Sequence, residues 1–126
     1  MNIIQTYKSY DSIPANLKSL VNKAQEYNPD CNYIFFSDED IMCFIRSIKD
    51  LNESYFETFF SLKYKIQQLD FFRYLAIYYY GGVYLDLDVD IHMSFVDLDR
   101  TRCTFPNEMN NNSDTILQNQ GMKNLI

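Results

Sequence analysis

Apolar positions along this chain recur at two periods, and the switches between them lay out its elements. Asn2 to Tyr7 opens with Ile3 and Ile4, a short run that predicts a first strand. Asp11-Ser12-Ile13-Pro14 has turn chemistry, and Pro14 suits the first turn of a helix. Leu17, Leu20, Val21 and Ala24 then recur at i, i+3, i+4 and i+7, which predicts a helix with one apolar face. Asn28-Pro29-Asp30 stops it. Tyr33-Ile34-Phe35-Phe36 is a continuous run of strand formers and predicts a second strand buried on both faces. Ser37 or Asp38 can cap the next helix, whose positive end suits Asp38, Glu39 and Asp40. Ile41, Phe44, Ile45 and Ile48 form its apolar face. Strand, helix, strand, helix implies a parallel sheet and an α/β fold.

Lys49-Asp50-Leu51-Asn52 breaks the pattern; Glu53 to Tyr64 predicts a short helix and 64–80 a long one. On that long helix apolar side chains point in every direction beyond Gln68, which predicts burial all round. Asp70 and Arg73 sit within it nonetheless. A buried charge is costly unless paired and hydrogen-bonded. At i, i+3 the two can pair with each other, or both can reach into a polar ligand such as a ribose or a sugar. Gly81-Gly82 ends the helix. Val83, Leu85, Leu87, Val89 and Ile91 then alternate with Tyr84, Asp86, Asp88 and Asp90, which predicts a strand over 83–89. Side chains at i and i+2 stand roughly 6.6 Å apart on a strand, so the acids repel. Either they form a solvated sheet edge or a divalent cation with a phosphate behind it relieves them. The carboxyl edge of a parallel sheet is where ligands bind in open α/β folds.

Composition narrows the choice. The 126 residues read as one domain, 1–126, with 11 Tyr, 10 Phe and 47% hydrophobic residues. A net charge of −6 argues against a nucleic-acid partner. Cys31, Cys43 and Cys103 have no CxxC spacing and read as buried, reduced thiols. The start Met1-Asn2-Ile3-Ile4-Gln5 has no signal-peptide pattern, and the apolar run Leu75 to Tyr80 is far shorter than the ~20 residues of a membrane span. A cytoplasmic protein is the expectation. No Walker loop and no nucleophile–base pair is apparent.

Asp70-Phe71-Phe72-Arg73-Tyr74, followed by Gly81-Gly82-Val83-Tyr84-Leu85-Asp86-Leu87-Asp88, resembles the DXD signature of a sugar-transferase family. That family, glycosyltransferase family 32-like, includes initiating α-mannosyltransferases and capsular polysaccharide transferases; the clostridial glucosylating toxins are similar in the same stretch. The resemblance extends over about residues 3 to 91, through Ile3-Ile4-Gln5-Thr6-Tyr7-Lys8, Ile13-Pro14 and Tyr33 to Asp40. It implies a GT-A fold, a Rossmann-like nucleotide-sugar-binding sheet flanked by helices. It implies an NDP-sugar donor (UDP- or GDP-linked), Mn²⁺ or Mg²⁺, and transfer of a hexosyl group with retention to a hydroxyl of a glycan, lipid or protein acceptor. By resemblance Asp88 binds the metal directly, and Asp86 the ribose or metal-bound water. Asp70 and Arg73 hold the ribose and the donor sugar, and Tyr84 lines the pocket. Asp86, Asp88 and Arg73 are then the catalytic set. Asp90 lies outside the DXD pair and is expected behind it; His92 is either a similar support or an ordinary polar residue. Leu69 stands where the family often has Ser, and Tyr7 where many members have Trp. Family domains usually continue further, so an incomplete domain is expected, and a module that binds nucleotide-sugar or metal without transfer is the alternative. Asn107–Asn112 and Gln118-Asn119-Gln120 are candidate diphosphate or acceptor contacts or plain surface.

Overall fold

The computed structural model describes residues 1–105. The helix suggested over Thr115 to Ile126 and the polar stretches 107–112 and 118–120 lie outside the described residues. The elements run β1 (Asn2–Thr6), α1 (Ala15–Tyr27), β2 (Asn32–Phe36), α2 (Asp38–Ser47), α3 (Glu53–Ser61), α4 (Lys65–Tyr80) and β3 (Val83–Tyr84). The sheet is parallel in the order β2-β1-β3. Ile3 and Ile4 pair with Tyr33 and Ile34 on one side and with Val83 and Tyr84 on the other. This is an α/β fold, with the first strand in the middle.

The alternation along β1 divides the core between the two faces. Ile4 packs with Phe36, Tyr84, Ile41, Phe44 and Ile45 of α2, Phe59 of α3, and Phe72, Leu75 and Ala76 of α4. Ile3 packs with Ala24 of α1, Val83, Leu85 and Val89. Val21 of α1 meets Ile13 and Leu87. Helices therefore cover both faces, as parallel pairing requires. Ser37 caps α2: its hydroxyl accepts from the Asp40 amide at 3.1 Å, while its own backbone amide donates to the Asp40 carboxylate at 2.9 Å. The serine also holds the Asp40 pKa below the usual carboxylate range.

Four expectations are corrected. β2 is an edge strand with Tyr33, Ile34 and Phe35 only half-buried, because among the described residues no strand pairs beyond it. α4 is not buried all round: Phe72, Leu75 and Ala76 face the core, while Ile66 and Tyr74 are exposed and Tyr78 is 71% exposed. One sheet covers one side of a helix, and a tyrosine can keep its hydroxyl in water at little cost. The strand expected over 83–89 ends at Tyr84. The last ladder-like bond runs from the Leu85 amide to the Ile4 carbonyl at 2.9 Å, and the Val89 amide then donates to the Asp86 carbonyl at 3.2 Å, closing a turn. The inward set Val83, Leu85, Leu87, Val89 and Ile91 is buried nevertheless, and Tyr84 is buried on the opposite face, so the alternation reported the inward set but not strand length. Finally, Cys43 and Cys103 are exposed and Cys31 is half-buried; all three are free thiols.

The join between α4 and β3 depends on glycine. Gly81 has φ +64° with ψ 175° and Gly82 has φ +102°. A Cβ on Gly82 would lie 2.1 Å from the Asn2 carbonyl oxygen. The Asn2 side-chain amide donates to the Tyr80 carbonyl at 2.7 Å, tying the end of α4 to the start of β1. No helix among the described residues is long and apolar enough to cross a membrane.

Candidate functional site

Three segments meet at the carboxyl ends of the strands: the end of β1, the turn after β3, and α4 near Arg73. Thr6 Oγ1 and the Tyr84 hydroxyl share a hydrogen bond of 2.8 Å. The Arg73 guanidinium lies over the Tyr84 ring, 5.1 Å from its centroid, in cation–π geometry. Its Nη2 is 3.0 Å from Asp70 Oδ1 and 3.8 Å from Asp86 Oδ1. Arg73 is 12% exposed, Asp86 26% and Asp70 54%, so the cation is the inner member and the carboxylates grade outward. Asp88 is exposed on the same turn.

The ion pair between Asp70 and Arg73 exists, and it does not exclude a ligand role: the Asp70 side chain is still 54% exposed. Burial raises the Asp86 pKa above the ordinary carboxylate value; Arg73 opposes that, and Asp88 and Asp70 add to it. Asp86 is thus close enough to feel both of the other acids. Burial likewise raises the Tyr84 pKa, against the Thr6 hydrogen bond. Asp86 is held partly desolvated beside two other acids, an arrangement that a cation would relieve.

The chain contains several Asp-x-Asp spacings, and the structure sorts them. Asp90 turns away from Arg73: its Oδ1 accepts from Lys23 Nζ of α1 at 2.5 Å and its Oδ2 lies 2.9 Å from His92 Nε2. The Lys23 hydrogen bond is the main reason its pKa is lowered. Asp99 caps Thr101 and lies 3.6 Å from Arg102. Asp90 and His92 therefore brace the segment after the turn against α1, whereas Asp86 lies beside Arg73, with Asp88 exposed two residues on.

Gln5 and Thr6 are the residues at this edge that patterning passed over. Both interrupt an apolar strand, which is the signal that could have singled them out. Gln5 Nε2 donates to the Asp86 carbonyl at 3.4 Å. A cavity of about 530 Å³, lined by Met1, Asn2, Gly82, Phe95 and Leu98 among others, lies at the opposite edge of the sheet. Its wall is mainly apolar, and of the charged groups described above it includes Asp99 and Arg102 but none of those around Arg73. Convergent charge, not volume, selects the carboxyl edge.

The family model for a glycosyltransferase sugar-binding region containing the DXD motif matches residues 14–117. The chain belongs to this glycosyltransferase family. Asp86-Leu87-Asp88 is the Asp-x-Asp of this glycosyltransferase domain whose first acid lies 3.8 Å from Arg73. Among curated proteins the domain is 40% identical over 83 residues to an inositol phosphoceramide mannosyltransferase of Schizosaccharomyces pombe, covering 63% of this chain and 25% of that protein. It is 41% identical over 86 residues to a mannosyl phosphorylinositol ceramide synthase of Saccharomyces cerevisiae, covering 68% and 22%. An uncharacterized glycosyltransferase of Acanthamoeba polyphaga mimivirus is 28% identical over 82 residues, covering 65% and 32%. The matched part of this chain spans about a quarter of the length of the yeast relatives. No solved structure matches the glycosyltransferase domain.

Proposed function

We propose that this chain forms the donor side of a glycosyltransferase that binds an NDP-sugar with a divalent cation and passes a hexosyl group, mannosyl by analogy with the yeast relatives, to an acceptor hydroxyl with retention. The observation that carries the reading is the arrangement of Arg73 over Tyr84, between Asp70 and Asp86, with Asp88 exposed beside them.

The residues fit a hard divalent cation. Among the described residues no group of three metal-ligating side chains comes together. Mg²⁺ and Mn²⁺ sites of the substrate-bridging kind need only one or two carboxylates, since phosphates and water complete the shell. Asp88, exposed, is the direct ligand in this reading, and Asp86 receives the ribose or a metal-bound water. When bound, the cation supplies Lewis-acid stabilisation of charge on the leaving nucleoside diphosphate. Arg73 and Asp70 orient the donor sugar, lowering the entropic part of the barrier. The acceptor hydroxyl then attacks on the face that the nucleotide vacates. The names of the yeast relatives favour an inositol-bearing sphingolipid as acceptor.

A second reading is a module that binds donor without transferring; the charges around Arg73 fit either. Two measurements separate the readings. Calorimetry with Mn²⁺ and a panel of UDP- and GDP-sugars should show cation-dependent binding, with Asp88→Ala weakening it about tenfold or more. Binding indifferent to the cation and to Asp88→Ala sinks the site. Nucleotide released from one donor of the panel, and lost in Asp86→Asn and Asp88→Asn, supports transfer; binding without release supports the module.

A further inference from the structure

We propose that Gln5 is a positioning residue: its side-chain amide sets the turn that carries Asp86 and Asp88. The proposal rests on the donor-site reading for its consequence, but not for its geometry.

Gln5 lies on the middle strand and is 1% exposed. A buried amide is costly unless both of its ends are hydrogen-bonded. Here Nε2 makes one long bond, 3.4 Å to the Asp86 carbonyl, and Oε1 has no hydrogen-bond partner among the described residues. An apolar side chain of the same shape would bury at lower cost at this place. A strand that spends stability in this way is keeping a polar group for some other purpose.

The purpose follows from what Nε2 touches. Parallel pairing of β1 with β3 covers Ile3 with Val83 and Ile4 with Tyr84, and the Leu85 amide makes the last backbone bond to β1. Past that point the chain leaves the sheet, and the Gln5 side chain reaches out to the carbonyl of the next residue, Asp86. That carbonyl also accepts from the Val89 amide, the bond that closes the turn. Leu87 and Val89 anchor the turn in the core on the α1 side. The apolar anchors fix its depth; the bond to Gln5 fixes the rotation of the Asp86 peptide. Rotating that peptide would swing the Asp86 carboxylate off Arg73 and re-aim Asp88.

The test uses the full chain with Gln5→Met and Gln5→Leu, which keep apolar bulk and remove the amide. Three readouts are taken: melting temperature, exchange of the Val89 amide proton, and binding of UDP and GDP with Mn²⁺ by calorimetry. The expected result is a melting temperature equal to or above that of wild type, faster exchange at Val89 with core amides unchanged, and about a tenfold loss of cation-dependent nucleotide affinity. A merely structural Gln5 predicts the reverse: a lower melting temperature, or failure of both variants to fold, and either outcome overturns the proposal. Unchanged exchange at Val89 also overturns it, as does unchanged affinity where wild type binds. If wild type binds neither nucleotide, the donor-site reading fails, and Val89 exchange with melting temperature alone decides whether Gln5 sets the turn.

Discussion

Arg73 concentrates the electrostatics of the site in one side chain. It is nearly buried, stacks on Tyr84 and lies between two carboxylates of unequal exposure. Replacing it by Met leaves Asp86 desolvated without its cation. We expect a loss of about 1–3 kcal/mol in chemical denaturation, below a fully buried pair because Asp70 is largely solvated. The Asp86 pKa should rise further in that variant. In the parent chain without added cation, burial holds the Asp86 pKa above its unfolded value. The stability tied to its protonated form is therefore fully present below the ordinary carboxylate range and is lost as pH rises through the raised value. Asp86→Asn mimics the protonated form. Its melting temperature should exceed the parent's at neutral pH, and the difference should close in acid. A mutant less stable than the parent at neutral pH would show that the attraction of Arg73 outweighs desolvation.

At the scale of elements, the chain turns where sterics allow it to. The Gly81-Gly82 join brings β3 against β1 so closely that a Cβ on Gly82 would overlap the Asn2 carbonyl, whereas one on Gly81 would meet nothing within 4 Å. Both residues have positive φ. Gly81→Ala should cost about 1–3 kcal/mol from backbone strain alone. Gly82→Ala should cost about 3 kcal/mol or more, since strain and overlap add. Urea midpoints for the two variants check the order, and equal costs would mean that β1 yields freely at Asn2. Patterning predicted this turn from the glycine pair, but not which glycine was the constrained one. It also placed α1 to α4 within a few residues. It overextended β3 because period two reports which side chains are inward, and the inward set stays buried through a turn held by Leu87 and Val89. It overburied α4 because tyrosines count as apolar in a pattern and tolerate water in a fold.

For the whole molecule, ligand binding and stability are linked. A ligand at one hundred times its dissociation constant stabilises the folded state by about 2.7 kcal/mol, which for a domain of this size corresponds to a shift of about 10 °C in melting temperature. Mn²⁺ with the right NDP-sugar should produce such a shift, and chelation should remove it. A melting curve unmoved by any cation and nucleotide pair would count against the donor site as a whole. The described residues supply strands, helices and the charged cluster around Arg73, while the matched relatives are about four times as long as their shared segment.

The order of residues by itself determined the α/β character, the parallel sheet, the helix-ending glycines and the family, because these rest on local periodicity and on a motif whose members are close in sequence. It also brought Asp70, Arg73, Tyr84, Asp86 and Asp88 forward as a group. Only the tertiary structure decided that Arg73 serves Asp70 and Asp86 together, that Asp90 belongs to Lys23 and His92 instead, and that Thr6 and Gln5, about eighty positions away, hold Tyr84 and the turn. Most of those contacts join a strand, a helix and a turn that lie far apart in the chain. Parallel pairing joins segments far apart in the chain, and no local pattern encodes which side chains then meet.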